Sequence, residues 1–123
     1  MRLLLDTHVV IWWDQGAKLS KEAMKAIRSA EQVYVSAVTG WEIAIKMSLG
    51  RIETDRDLRY AVAESGFEEL PVRLSHAHAL RDLPRHHRDP FDRMLVAQAL
   101  EEGLTLVTRD RALEAYEVRL LRA

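Results

Sequence analysis

The stretch "DPFDRMLVAQALEEGLTLVTRD", Asp89 to Asp110, decides how the chain folds. Asp89 followed by Pro90 reads as a helix start. Aspartate accepts from the free amides of a first turn, and proline fits the first helical position because its missing N–H has no partner there. An apolar helical run follows, and Leu104 to Val107 then reads as a short buried strand that ends at Thr108 and Asp110. Asp92 is left over, because one acid suffices for a cap.

The same helix-then-strand pattern continues outward. Leu3 to Leu5 reads as a buried strand ending at Asp6-Thr7, and "HVVIWWDQ" continues as a short, very apolar helix that stops near Gly16. Ser20 caps a helix over "KEAMKAIRSA", with Ala23, Ile27 and Ala30 on one face. Val33 to Val35 is a second strand, Ser36 to Leu49 a helix stopped by Gly50, and Asp55 to Glu64 a helix stopped by Gly66. Phe67 to Val72 reads as a third strand, "SHAHALRDL" as a short helix, and Val118 to Leu121 as the last strand. Strands alternating with helices predict an α/β fold, a central parallel sheet of about five strands flanked by helices, in a single domain over residues 1–123. In such sheets function sits at the carboxyl ends of the strands.

Composition narrows the partners. A net charge of −1 provides no global basic field, so any polyanion must be held by a local patch. Every Lys or Arg position after Lys46 is arginine, which suits bidentate phosphate contacts and surface ion pairs equally. The absence of cysteine excludes disulfides, thiolate catalysis and Cys-based zinc sites. Asp6 and His8 interrupt the apolar N-terminus before a signal-peptide core forms, and no run reaches the length of a membrane span. The expectation is a cytoplasmic protein without a membrane segment.

Acids recur where strands end. Asp6 follows the first strand, Glu42 lies near the start of the helix after the second, and Asp110 follows the fourth. The Asp89/Asp92 pair opens the helix that leads into the fourth strand, which points it away from a strand end unless the chain folds it back. Each acid also has a purely structural explanation. Thr39-Gly40-Trp41-Glu42 matches a capping box, Glu42 and Lys46 form an i, i+4 pair, and Asp110 and Asp89 each cap a helix. Asp6 stands out because a carboxylate directly after a buried apolar strand is costly without partners. Caps predict nothing about where the acids lie relative to one another, whereas a metal site requires them to converge. Converging carboxylates repel, so at least one should have a raised pKa, and a hard divalent cation removes that penalty.

The blocks "LLLDTHVVIWW", "SAVTGWEIAIKMSLGRI" and "HHRDPFDRMLVAQALEEGLTLVTRD", in this order, resemble the PIN-domain ribonucleases, and within them the VapC-type toxins of prokaryotic toxin–antitoxin pairs. The resemblance runs from about residue 2 to residue 121. It implies a PIN-like fold and places the family's four acids on Asp6, Glu42, Asp92 and Asp110, leaving Asp89 an accessory or capping role. It further implies binding of Mg²⁺ or Mn²⁺ by those acids and hydrolysis of RNA to 5′-phosphate and 3′-hydroxyl ends. A homodimer is implied too, with a VapB-type antitoxin whose C-terminal segment lies in a groove near the site.

Thr7, Ser36 and Thr108 stand at strand ends and can orient water or metal ligands, or act as helix caps and turn hydroxyls. Arg88, Arg93 and Arg109 can contact RNA phosphates, or neutralise neighbouring aspartates; Arg85 and Arg111 belong to the same surroundings. His76 and His78, two apart on a helix, do not share a face, and His86 and His87 are expected in a solvated, Arg-rich loop near the substrate. His8, close to Asp6, is expected to line the cleft. The helix containing Trp12 and Trp13 has almost no polar face, which suggests a partner surface; Trp41 is expected in the core or an interface. Two competing readings are a non-catalytic α/β interaction module whose acids are all caps and a haloacid-dehalogenase-like phosphatase. The second needs an aspartate two residues after Asp6, where this chain has His8.

Overall fold

A computed structural model describes residues 1–16, 19–54 and 56–123. Strands β1 (Arg2–Leu5), β2 (Gln32–Ser36), β3 (Glu68–Leu70), β4 (Thr105–Thr108) and β5 (Leu120–Arg122) form one parallel sheet in the order β3-β2-β1-β4-β5. The α-helices are α1 (Thr7–Asp14), α2 (Lys21–Ser29), α3 (Ala37–Ser48), α4 (Leu58–Glu64), α5 (Leu74–Ala79) and α6 (Pro90–Glu102). Short 3₁₀ turns cover Leu80–Asp82 and Arg111–Ala115. The α/β expectation with a five-stranded parallel sheet therefore holds. The expected start of the fourth helix, Asp55, lies outside the described residues; α4 itself begins at Leu58, capped by Asp57.

Strand β1 is central, with Leu4 in register with Tyr34 of β2 and Leu106 of β4. Its run of leucines is apolar on both faces because both are covered. Leu4 packs with Val38, Leu95, Val96, Leu106 and Leu113 on one side, and Leu3 and Leu5 with Val9, Ala23, Ile27, Val35 and Val107 on the other. The chain builds outward from β1 through β2 to β3, then returns to β1's other flank with β4. The crevice at the carboxyl ends of β1 and β4 is thus a topological switch point, where open α/β sheets place their ligands.

Helix α6 begins as expected, Asp89 Oδ1 accepting from the amides of Phe91 (2.8 Å) and Asp92 (3.2 Å), and it ends at Gly103, whose φ of 65° is left-handed. Its direction corrects one expectation. A helix feeding a parallel strand runs antiparallel to it, so its first turn lies at the edge where the strands end. Asp89 and Asp92 need no refolded loop to reach that edge.

One further expectation fails. Helix α3 starts at Ala37, with Ser36 Oγ accepting from the Val38 amide at 3.0 Å, so Glu42 sits in mid-helix and the Thr39–Glu42 capping box does not form. Trp12 and Trp13 on α1 are half-buried within the chain itself. Trp13 donates to Ser65 Oγ at 3.1 Å and stacks on Phe67, while the Arg109 guanidinium lies 4.1 Å above the Trp12 ring. Large exposed apolar side chains occur elsewhere, at Trp41, Leu49, Tyr60 and Leu74. Among the described residues no helix is long and apolar enough to cross a membrane.

His76 and His78 diverge as their spacing requires, one buried and one exposed. His76 Nδ1 accepts from the Arg73 amide at 3.0 Å, which leaves the proton on Nε2, 2.9 Å from Glu102 Oε1. Gln98 links this ring to β2: its Nε2 lies 3.3 Å from His76 Nδ1, and its Oε1 accepts from Ser36 Oγ at 2.6 Å. These buried polar groups satisfy one another.

Candidate active site

Asp6 continues the sheet before it turns into α1. Its amide donates to the Val107 carbonyl at 3.1 Å, and its Oδ1 accepts from the Val9 amide at 2.9 Å. The carboxylate is buried, and burial pushes its pKa up; Glu42 adds to the rise, against the Thr108 hydroxyl, the Val9 amide and His8. Capping and site membership coexist in this one residue, which accounts for a charge at the end of an apolar strand.

Glu42 is reached from β1's side of the cleft. Thr7 Oγ1 donates to Glu42 Oε1 at 2.6 Å and lies 3.2 Å from Thr39 Oγ1, while Lys46, one turn on, pairs with Oε2. Thr7 therefore orients a site carboxylate, as one of its two readings requires. Thr108 does comparable work at the end of β4, accepting from the Asp110 amide at 3.0 Å and acting on Asp6. Ser36 does not: its hydroxyl caps α3 and donates to Gln98.

Asp92 and Asp110 meet across His87, whose loop is expected near the substrate but whose contacts to the two acids are not. His87 Nε2 lies 2.9 Å from Asp110 Oδ2 and 3.4 Å from Asp92 Oδ2. Its Nδ1 accepts from the Asp89 amide at 3.0 Å, so the neutral ring carries its proton on Nε2 and donates it to Asp110. Its own amide donates to the Tyr116 hydroxyl at 2.9 Å. One oxygen or nitrogen from each of His87, Asp92 and Asp110 falls within 4.8 Å of the others. The acids that meet His87 Nε2 are 5 and 23 residues away, so no local pattern marks that contact.

The electrostatics couple several of these groups. Burial, then the charge of Asp89, with smaller contributions from Glu42 and Asp6, pushes Asp92 up to about 7 against the pull of His87. Asp110 goes the other way: burial would raise it, but hydrogen bonds from His87 and the Ala112 amide, with the fields of His87 and His8, hold it below the usual range. Asp6, Glu42 and Asp92 feel one another's charge, and Asp92 is joined to Asp110 through His87. His87, Asp92 and Asp110 come together at one point, and Asp6 and Glu42 lie near enough to add slightly to the rise of Asp92, behind burial and Asp89.

The three arginines have different surroundings. Arg93 Nη1 donates to the Pro84 carbonyl (2.8 Å) and the Tyr116 hydroxyl (3.2 Å), and its Nη2 to the Leu83 carbonyl (3.3 Å). It ties a loop to α6 rather than facing a phosphate or pairing with aspartate. Arg109 donates to the Ala123 carbonyl at 3.0 Å and covers Trp12. Arg88 is exposed beside the start of α6 and is the best placed of the three for a phosphate. Asp89 holds the first turn of α6 and positions His87, the accessory role expected of it.

A parallel sheet whose strand ends gather carboxylates from β1, α3, α6 and the turn after β4 matches the PIN domain family, whose model covers residues 3–118. The chain belongs to that family. Ribonuclease VapC22 of Mycobacterium tuberculosis is 32% identical over 122 residues, spanning 93% of this chain and 91% of the relative. Solved structures with the same fold include VapBC2 from Rickettsia felis bound to a DNA fragment from their promoter, with a TM-score of 0.75 at 12% identity over 99% of this chain and 98% of that one. VapBC-5 of Mycobacterium tuberculosis, a member of the VapBC family of toxin–antitoxin systems, gives 0.65 at 23% identity over 99% and 98%.

Proposed function

We propose that this chain is a metal-dependent endoribonuclease that hydrolyses RNA phosphodiesters and acts as the toxin of a toxin–antitoxin pair. What supports the reading is the His87, Asp92 and Asp110 group at the switch point, with Asp6 and Glu42 near enough to act on Asp92. The ribonuclease relative supports the substrate class, and the toxin–antitoxin structures support a VapB-type antitoxin as partner. A homodimer and a cytoplasmic location complete the proposal, on the family resemblance.

The donor set fits a hard divalent cation, Mg²⁺ or Mn²⁺. It is rich in carboxylate oxygens, contains no thiolate, and includes a carboxyl whose ionisation the protein alone disfavours. Asp6, Glu42, Asp92 and Asp110 would hold it. When bound, such an ion supplies a water of lowered pKa and polarises the phosphoryl oxygen. The chain's own groups set the stage for that chemistry. Thr7 and Lys46 fix the two oxygens of Glu42, the Val9 amide fixes Asp6, and His87 keeps Asp110 ionised by donating to it. Arg88 is the side chain offered to a substrate phosphate.

Water as the nucleophile, with the 3′-oxygen as the leaving group, leaves 5′-phosphate and 3′-hydroxyl ends and does not need the substrate's 2′-hydroxyl. Attack by that hydroxyl instead leaves a 2′,3′-cyclic phosphate. Sequencing of product ends after incubation with RNA and Mg²⁺ is expected to show 5′-phosphates, and cyclic-phosphate ends would overturn the reading.

A further inference from the structure

Two dipeptides meet where α3 and α6 approach each other: Trp41-Glu42 and Phe91-Asp92. In each, an aromatic residue immediately precedes a site carboxylate. The acids turn inward, Glu42 being buried and acting on Asp92. The aromatics meet edge to face, with ring centroids 5.1 Å apart and planes at 77°. Phe91 is partly buried against the core and braces its neighbour. Trp41 nevertheless remains 62% exposed, whereas Trp12 and Trp13 are half-buried under Arg109, Ser65 and Phe67.

We infer that Trp41, braced by Phe91, is a stacking platform for a nucleobase adjacent to the scissile phosphate. This rests on the ribonuclease reading and deepens it. Trp41 is exposed and directly precedes Glu42, so a base flanking a phosphate bound at the site has an indole within reach. Unpaired bases stack readily on aromatic faces, and every base has such a face, so the contact tolerates any sequence. Charge points the same way. The chain's net charge is −1, and Arg93 and Arg109 are occupied within the fold, so electrostatics alone provide little grip on RNA. A rigid, exposed indole supplies affinity that does not depend on basic residues.

The test is binding of a fluorescein-labelled, random-sequence RNA of about 12 nucleotides, followed by anisotropy with Mg²⁺ in an Asp6→Asn background to suppress cutting. Trp41→Ala is expected to weaken binding by about tenfold, equally at low and high salt, and Trp41→Phe to restore most of it. A ribose-phosphate oligomer without bases should bind both forms alike. Unchanged RNA affinity in Trp41→Ala would overturn the inference. So would sedimentation showing that Trp41→Ala breaks a dimer in step with the lost binding, since the indole would then contact a second copy of the chain. Failure of the parent protein to bind any RNA is a separate result and overturns the ribonuclease reading itself.

Discussion

Replacing Asp92 by asparagine removes a charge that the fold holds at a cost. Burial, then Asp89, with Glu42 and Asp6 behind, raises its pKa from 3.8 to about 7. An acid with a raised pKa binds its proton more tightly in the folded chain than in the unfolded one. Between those two pH values the folded state holds more protons, so stability falls as pH rises. The penalty is absent below about 3.8 and fully developed above about 7, where the interval corresponds to ~4 kcal/mol. The side chain is only 21% exposed, so water screens little of this; relaxation of the neighbouring loop lowers the expected value to ~2–4 kcal/mol. Without divalent metal, Asp92→Asn should therefore melt ~8–16 °C above the parent at pH 8, taking about 4 °C per kcal/mol for a domain of this size. At pH 5 the gain should fall to less than half, because the parent then folds with Asp92 protonated. Circular-dichroism melts in EDTA at both pH values provide the assay. Adding Mg²⁺ at pH 8 should raise the parent's melting temperature and leave the variant's nearly unchanged. A variant no more stable at pH 8, or equally stabilised at both pH values, would refute the reasoning.

The remaining predictions concern residues whose roles the structure separates. Arg93→Ala should lose ~1.5–3 kcal/mol in urea unfolding, from hydrogen bonds to the Leu83 and Pro84 carbonyls, and leave the salt dependence of RNA binding unchanged. Arg88→Ala should do the reverse, reducing the slope of log affinity against log salt by about 1 with stability intact. Gln98→Leu strands the Ser36 hydroxyl in a buried setting and should cost ~2–3 kcal/mol by the same unfolding measurement. His87→Ala should let the Asp110 pKa rise, which a carboxyl-carbon NMR titration reads directly.

Local rules carried the sequence reading a long way and failed where partners are distant. Asp89-Pro90, Ser20 and the leucines of β1 act through neighbours in the chain, so the elements they start or fill could be placed from sequence. Glu42 fitted a capping box because its motif is local, but Ser36 starts the helix earlier and leaves Glu42 to Thr7, 35 residues away. Asp92 seemed misdirected only because the antiparallel run of α6 against β4 was not applied; that placement was available from topology. His87 and Arg93 were not legible. Their roles depend on Asp110, Tyr116 and the loop at Leu83-Pro84, none of which any periodicity brings together. The contacts of the α1 tryptophans to Ser65, Phe67 and Arg109 likewise come from other elements.

The most direct test of the central claim is the rate of RNA cleavage as a function of Mg²⁺ concentration, for the parent chain and for Asp6→Asn with its fold verified by circular dichroism. The parent should be inactive in EDTA and recover saturably as Mg²⁺ is restored, while Asp6→Asn stays inactive at every concentration. Cleavage that persists in EDTA, or that survives the loss of Asp6, would contradict a metal-dependent site built on these four acids.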